Sequence, residues 1–210
     1  EGGLSGGVGP ARGGDSGVIV GEGCQITAGG GEKVRQGAYA SRAAGLGGLE
    51  WMEGIPGAGA GALRMNAGAM GAQTVENVTR IRYLDAEGNP LIKTRDEVEV
   101  FYRRFPLLEK NFAISATFRG QPADRTQIDN RLRESQEKRR TTQPVAKSAG
   151  CIFKNPATVP AGKLVDELGL KNSRMGNGGV QQGHGHCIVT IGRRAGGGGM
   201  ACRAGGVLVA

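Results

Sequence analysis

Residues 48–71, GLEWMEGIPGAGAGALRMNAGAMG, constrain what this chain can fold into more than any other stretch. Pro56-Gly57 suits a tight turn, because proline presets φ at the first central position and glycine accepts positive φ at the second. Gly57, Gly59 and Gly61 then fall at alternate positions. Without Cβ atoms, they let backbone N–H groups approach a bulky anionic group closely. Ala62, Ala67, Gly68, Ala69 and Gly71 keep side-chain bulk low, interrupted by Leu63, Met65, Asn66 and Met70. Small residues at this density suit backbone packed against a flat ligand or a neighbouring element. Two phosphate-binding motifs are excluded. Glycines at spacing two do not make G-x-G-x-x-G, and no Lys-Ser/Thr follows Gly61. A glycine-rich packing loop is the plainer reading of the same residues.

The rest of the chain divides by composition. Of the 40 glycines, 25 fall in residues 1–31 and 176–206, so the middle has ordinary globular composition and the ends do not. Glycine loses the most chain entropy on folding, which predicts marginal order at both ends unless a ligand holds them. A formal charge of +8 favours polyanions, a nucleotide diphosphate among them. In residues 131–140 the cations Arg131, Arg133, Lys138, Arg139 and Arg140 are interrupted by Glu134 and Glu137. That pattern reads as a solvated helix face and argues against nucleic acid, whose best support would be the basic tail beyond Arg193. Cys24, Cys151, Cys187 and Cys202 form no C-x-x-C pair, and His184 and His186 make no zinc pattern, so no metal is expected. With no signal peptide and no long apolar run, the expected setting is cytoplasmic, away from membranes, with reduced thiols.

The periodicities predict an α+β fold. Residues 17–20 read as a short strand. Residues 32–44 read as a helix, with Val34, Ala38 and Arg42 spaced by four, Tyr39 sharing a buried side with Ala43, and Gly45 as the stop. Residues 78–84 alternate as a strand, with Thr79, Ile81 and Tyr83 on one side. Residues 85–89 are a turn, 90–94 the returning strand, and 94–100 a short helix or acidic connector. Residues 111–119 alternate most clearly, and Pro122 ends that run. Asp124 caps a helix reaching Arg140, whose only apolar stripe, Ile128 and Leu132, predicts a surface position. Residues 161–170 read as a helix with Leu164, Val165 and Leu168 on one face.

Two segments carry a resemblance. Residues 48–71 are similar to the flavin-binding segment of UDP-N-acetylenolpyruvoylglucosamine reductases, the MurB enzymes, with Ala58 where a hydroxyl is common and Ala60 in place of a glycine. Residues 148–172, SAGCIFKNPATVPAGKLVDELGLKN, resemble the family's second signature closely, and residues 174–190 resemble its R-V-G-G-A-Q run more loosely. The resemblance spans about residues 17–190 and is poor at both ends. The chain is therefore expected to be an N-terminally truncated, divergent member. The resemblance implies a partial FAD-binding domain of vanillyl-alcohol-oxidase (PCMH) type in residues 1–80. Residues 81–210 would form an α+β substrate-binding and C-terminal domain with an antiparallel sheet.

What the resemblance implies about chemistry is specific. The family reduces UDP-N-acetylglucosamine enolpyruvate to UDP-N-acetylmuramate with FAD and NADPH, in peptidoglycan synthesis. Gly54, Ile55, Pro56, Gly57, Ala58, Gly59, Gly61, Asn66, Ala67 and Gly68 match cofactor-binding positions. Arg103 matches the arginine that steadies the developing enolate. A guanidinium keeps its proton and can grip a carboxylate through two parallel bonds. Cys151 stands at the family's proton-donor serine, and a thiol, with a reference pKa near ~8.5, is the better acid. Lys154 and Asn155 match residues that hold the UDP-sugar, and Tyr102 is a looser match. No acidic residue follows Glu167, so the family's C-terminal glutamate has no counterpart. A degenerate relative that binds flavin or UDP-sugar without reducing it stays open as the alternative. A monomer is expected in either case.

Overall fold

The computed structural model describes residues 17–142, 148–151, 153–156, 158–175, 178–181, 183, 185 and 187–190. Most of the two glycine-rich ends, Cys202, His184 and His186 lie outside these residues, and so do the expectations that concern them. The chain parts into two units, Glu1–Gln136 and Glu137–Ala210. The boundary expected at 80/81 falls inside a strand at the heart of the first unit's sheet, so the backbone ladder there binds both sides of it.

In the first unit, β1 (Val18–Val20) pairs antiparallel with β2 (Gln25–Gly29). The helix α1 (Val34–Ala43) follows and buries Val34, Gly37, Ala38 and Ser41. Its buried side differs from the expected one: Tyr39 is exposed, as is Ala43. The reason is close packing at Gly37, where a Cβ would stand 2.8 Å from Met52 Sδ. That contact turns the 34–37–38–41 face inward and leaves Tyr39 at the rim beside Gln136. Gly45 ends the helix at φ +67, as predicted.

The chain continues through β3 (Leu46–Gly47), a 3₁₀ turn at Glu50–Gly54, α2 (Gly59–Arg64), the ribbon β4 (Gly68–Ala69) and β5 (Ala72–Gln73), and α3 (Thr74–Asn77). Next come β6 (Val78–Leu84), β7 (Pro90–Thr94), a 3₁₀ turn at Arg95–Glu97, α4 (Leu107–Lys110) and β8 (Phe112–Arg119). The five-stranded antiparallel sheet runs β1-β2-β8-β6-β7. In β6 the alternation is broken: Val78, Ile81 and Tyr83 are all buried. Register shifts against β8 between Val78 and Arg80 and between Arg82 and Tyr83 are the cause, since an extra residue in one strand resets which side faces the core.

Pro122 does not simply end β8. With Gln121 it forms β9 (Gln121–Pro122), which pairs with β3. Asp124 Oδ1 accepts the N–H groups of Thr126 and Gln127, capping α5 (Arg125–Thr142) as predicted. Arg42 Nη2 donates to Asp129 Oδ2 at 3.1 Å, tying α1 to α5. Ile128 and Leu132 are buried in the common core, each burial contributing about 1.5–3 kcal/mol.

The second unit holds β10 (Ser148–Cys151), α6 (Ala161–Glu167), β11 (Arg174–Met175), β12 (Gly178–Val180) and β13 (Cys187–Thr190), in a sheet of order β10-β13-β12-β11. All its pairings are antiparallel. Ala161 and Val165 are the buried residues of α6; Leu168, expected on that face, is 54% exposed. The helix stops at Glu167, so Leu168 falls past its last turn. Gly185 lets α6 come close, because a Cβ there would lie 2.8 Å from Gly162 O.

Among the described residues no helix is long and apolar enough to cross a membrane. Nor does any group of three or more His, Cys, Asp and Glu side chains there have the arrangement to hold a metal ion.

Candidate functional site

The proline–glycine bend is laced to the strand end that precedes α1. Val34 N donates to Gly57 O at 3.1 Å, Gly59 N to Glu32 O at 2.8 Å, and Ala60 N to Gly30 O at 2.9 Å. No side chain caps α1; the Gly57 carbonyl satisfies its first amide instead. Gly57 has φ +101, a conformation that disfavours any other residue. Gly59 is needed for close approach, since a Cβ there would meet Gly29 O at 3.2 Å. The amide of Gly59, one of those expected to face an anion, therefore donates into the chain, as does that of Ala60. Those of Gly57 and Ala58 donate to no group among the described residues. Pro56 is exposed beside them and Ile55 is buried. Gly54 closes the preceding 3₁₀ turn against Ala69, and Gly61 lies exposed in α2.

Asn66 is the hub of the site. It is 2% exposed and sits at φ +39. Its Nδ2 donates to Gln73 Oε1 at 2.8 Å and to Phe101 O at 3.2 Å, and its Oδ1 accepts Val75 N at 3.2 Å. Both side-chain donors are thus committed inside the protein. Asn66 works as a clamp that joins three segments. Ala67 continues the clamp: its carbonyl accepts the Thr74 amide at 2.8 Å and the Thr74 hydroxyl at 2.7 Å. Met70 and Gly71, at φ +56 and +86, form the two-residue turn between β4 and β5.

The clamp positions Arg103. Phe101 and Arg104 exchange two backbone hydrogen bonds, which leaves Tyr102 and Arg103 at the tip of a tight turn. Arg103 has φ +54, which costs about 1–2 kcal/mol for a residue with a side chain. Its Nη1 donates to Asn66 O at 2.9 Å, and its guanidinium lies 5.0 Å from the centre of the Tyr102 ring. Gly68 packs beside it and is required by the β4–β5 ribbon, since a Cβ there would come 2.6 Å from Ala72 O. The remaining guanidinium N–H groups donate to nothing among the described residues. The result is a half-buried, anchored cation with one edge available for a carboxylate.

We expect Asn66→Ala to destabilise the fold by about 2–3 kcal/mol in urea unfolding, because the buried Val75 amide loses its acceptor, Gln73 Oε1 loses its donor, and Phe101 O is left with Arg104 N alone. A loss below about 1 kcal/mol would show that the clamp is not what holds these segments.

In the second unit Cys151 is exposed at the end of β10, and its Sγ lies 3.7 Å from that of buried Cys187. Lys154 and Asn155 are exposed in the segment that leads to α6. Asn155 Oδ1 accepts Ala161 N at 3.0 Å, so its carbonyl caps α6, while its amino group donates to nothing among the described residues. Sequence reasoning missed Gln73, which holds Asn66, and Cys187. Gln73 was findable, since Gln-x-x-Glu to Glu76 has the spacing of the capping box seen at α3. No spacing links residues 151 and 187; strand pairing alone brings them together.

The family model for the C-terminal domain of UDP-N-acetylenolpyruvoylglucosamine reductase matches residues 142–197. The reductase of that name from Geobacter metallireducens is 38% identical over 176 residues, covering 83% of this chain and 58% of the relative. That from Syntrophus aciditrophicus is 38% identical over 148 residues, covering 70% and 47%. The crystal structure of the MurB reductase from Thermus caldophilus superposes with a TM-score of 0.77 at 29% identity, over 85% of this chain and 66% of that one. The chain belongs to the UDP-N-acetylenolpyruvoylglucosamine reductase family. It spans about half the length of these two curated relatives. The family's mixed architecture of helices with antiparallel sheets is the one found here. The residues matched by the family model, 142–197, contain the segment 148–172.

Proposed function

We propose that this chain reduces UDP-N-acetylglucosamine enolpyruvate to UDP-N-acetylmuramate, using FAD and NADPH, as a step of peptidoglycan synthesis in the cytoplasm. The observation that carries this reading is Arg103, fixed through Nη1 to Asn66 O with its other N–H groups turned to no described partner. The names of the relatives give the substrate.

The bend suits the phosphates of a flavin nucleotide of vanillyl-alcohol-oxidase type. Gly57 at φ +101 and the uncommitted amides of Gly57 and Ala58 leave a bare backbone surface for an anion. Gly54, Ile55, Pro56, Gly59, Gly61, Ala67 and Gly68 would shape the rest of that cradle, and Asn66 would hold it in place rather than touch the cofactor. When bound, the flavin supplies the hydride for the vinyl carbon.

The chain's own residues do the rest. Arg103 grips the substrate carboxylate and stabilises the negative charge that develops as the double bond is reduced. Cys151 gives its thiol proton to the neighbouring carbon. Lys154 supplies a point charge for the diphosphate, and the Asn155 amino group donates to the sugar nucleotide. Tyr102 stacks under Arg103 and keeps the guanidinium plane from swinging.

The test is direct. Chain mixed with FAD and passed through a desalting column is expected to retain flavin absorbance. NADPH consumption should then appear only when the enolpyruvyl substrate is added. A colourless protein removes the flavin reading. Retained flavin with no NADPH consumption identifies the chain as a binding relative that no longer reduces.

A further inference from the structure

Cys151 and Cys187 face each other on β10 and β13, with Sγ atoms 3.7 Å apart. Gln181 N donates to Cys187 O at 3.0 Å, so the backbone polar groups of Cys187 point towards β12. A residue's N–H and C=O leave an antiparallel strand on the same side, so Cys187 is in a non-hydrogen-bonded position towards β10. In such pairs the Cα atoms approach to about 4.5 Å, within the ~4.4–6.8 Å that a disulfide spans. Closing the S–S bond to about 2.0 Å requires side-chain rotation and no strand slippage. The two thiols differ in access. Cys151 is exposed, whereas Cys187 is 0% exposed and reachable through Cys151. Hydrogen bonding with Cys151, then burial, pushes the Cys187 thiol far above the usual range, so it keeps its proton until a bond to Cys151 can form.

We propose that Cys151 and Cys187 form a thiol–disulfide exchange site that closes with a small-molecule disulfide of the oxidised-glutathione type. Cys151 loses its proton to solvent and its thiolate attacks one sulfur of the reagent. The reagent's S–S bond breaks, and the departing thiolate takes up a proton. Cys187 then releases its proton as its sulfur attacks Sγ of Cys151, and a second reagent thiol leaves. Two protein thiols are oxidised and one disulfide is reduced to two thiols. The consequence for turnover rests on the proton-donor role of Cys151 given above. The closed form carries no S–H there and cannot donate.

The experiment equilibrates the full chain with mixtures of oxidised and reduced glutathione, traps remaining thiols by alkylation, and maps digested peptides by mass. The expected result is a peptide pair linked through residues 151 and 187. Its fraction should rise with the oxidised share and vanish with dithiothreitol. Cys187→Ala under the same conditions should stop at a glutathione adduct on Cys151. Alkylation of both residues in the oxidised mixture to the same extent as in the reduced one would overturn the proposal. So would a bridge from Cys151 to Cys24 or Cys202. Turnover measured in parallel should fall by roughly tenfold or more in the linked form and recover on reduction. A link that forms with turnover unchanged upholds the exchange site and removes the donor role, so the two failures read apart.

Discussion

Replacing Cys151 with alanine is expected to lower kcat by roughly 10²–10⁴-fold, the usual contribution of a positioned proton donor. Flavin retention should not change, because Cys151 is not among the residues proposed to cradle the cofactor. Cys151→Ser is the informative companion. A hydroxyl can still donate, so this variant should keep a measurable part of the activity that alanine loses. Steady-state NADPH oxidation by the wild type and the two variants measures both effects. Equal activity in the alanine and wild-type proteins would end the donor assignment.

Arg103→Ala is expected to cost roughly 10²–10³-fold in kcat, the range for removing one charge-stabilising donor from a preorganised site. Arg103 is held at φ +54 and hydrogen-bonded to Asn66 O, so its geometry is set before substrate arrives. Arg103→Lys keeps the charge and loses the planar fork that two carboxylate oxygens can share, so it should recover only a fraction. The effect should lie mainly in kcat, since charge builds up during the reaction. A rise in KM with kcat unchanged would instead mark Arg103 as a ground-state binding residue.

Much of the fold was legible locally. The Val34 and Ala38 spacing with Gly45 beyond it marked α1, Asp124 marked the start of α5, and the alternation from Phe112 marked β8. These signals lie within a turn or a strand of the residues they describe. Legibility failed where a distant group decided the outcome. Tyr39 faces outward because Met52 packs against Gly37, and Val78 joins Ile81 in the core because β6 is bulged against β8. Neither Met52 nor the bulge is visible from the period of the segment it disturbs.

The candidate site divides the same way. Sequence alone marked the Pro56-Gly57 bend and, through the resemblance, Arg103 and Cys151, because such chemistry depends on residue type and short spacing. Tertiary structure alone decided that Asn66 serves as a clamp, that Gly59 and Ala60 turn their amides into the chain, and that Cys187 lies against Cys151. A hydrogen bond or thiol contact between residues 36 or 37 positions apart, as in Asn66–Arg103 and Cys151–Cys187, depends on strand register and turn geometry. Those are properties of the assembled sheet, and no local pattern along the chain encodes them.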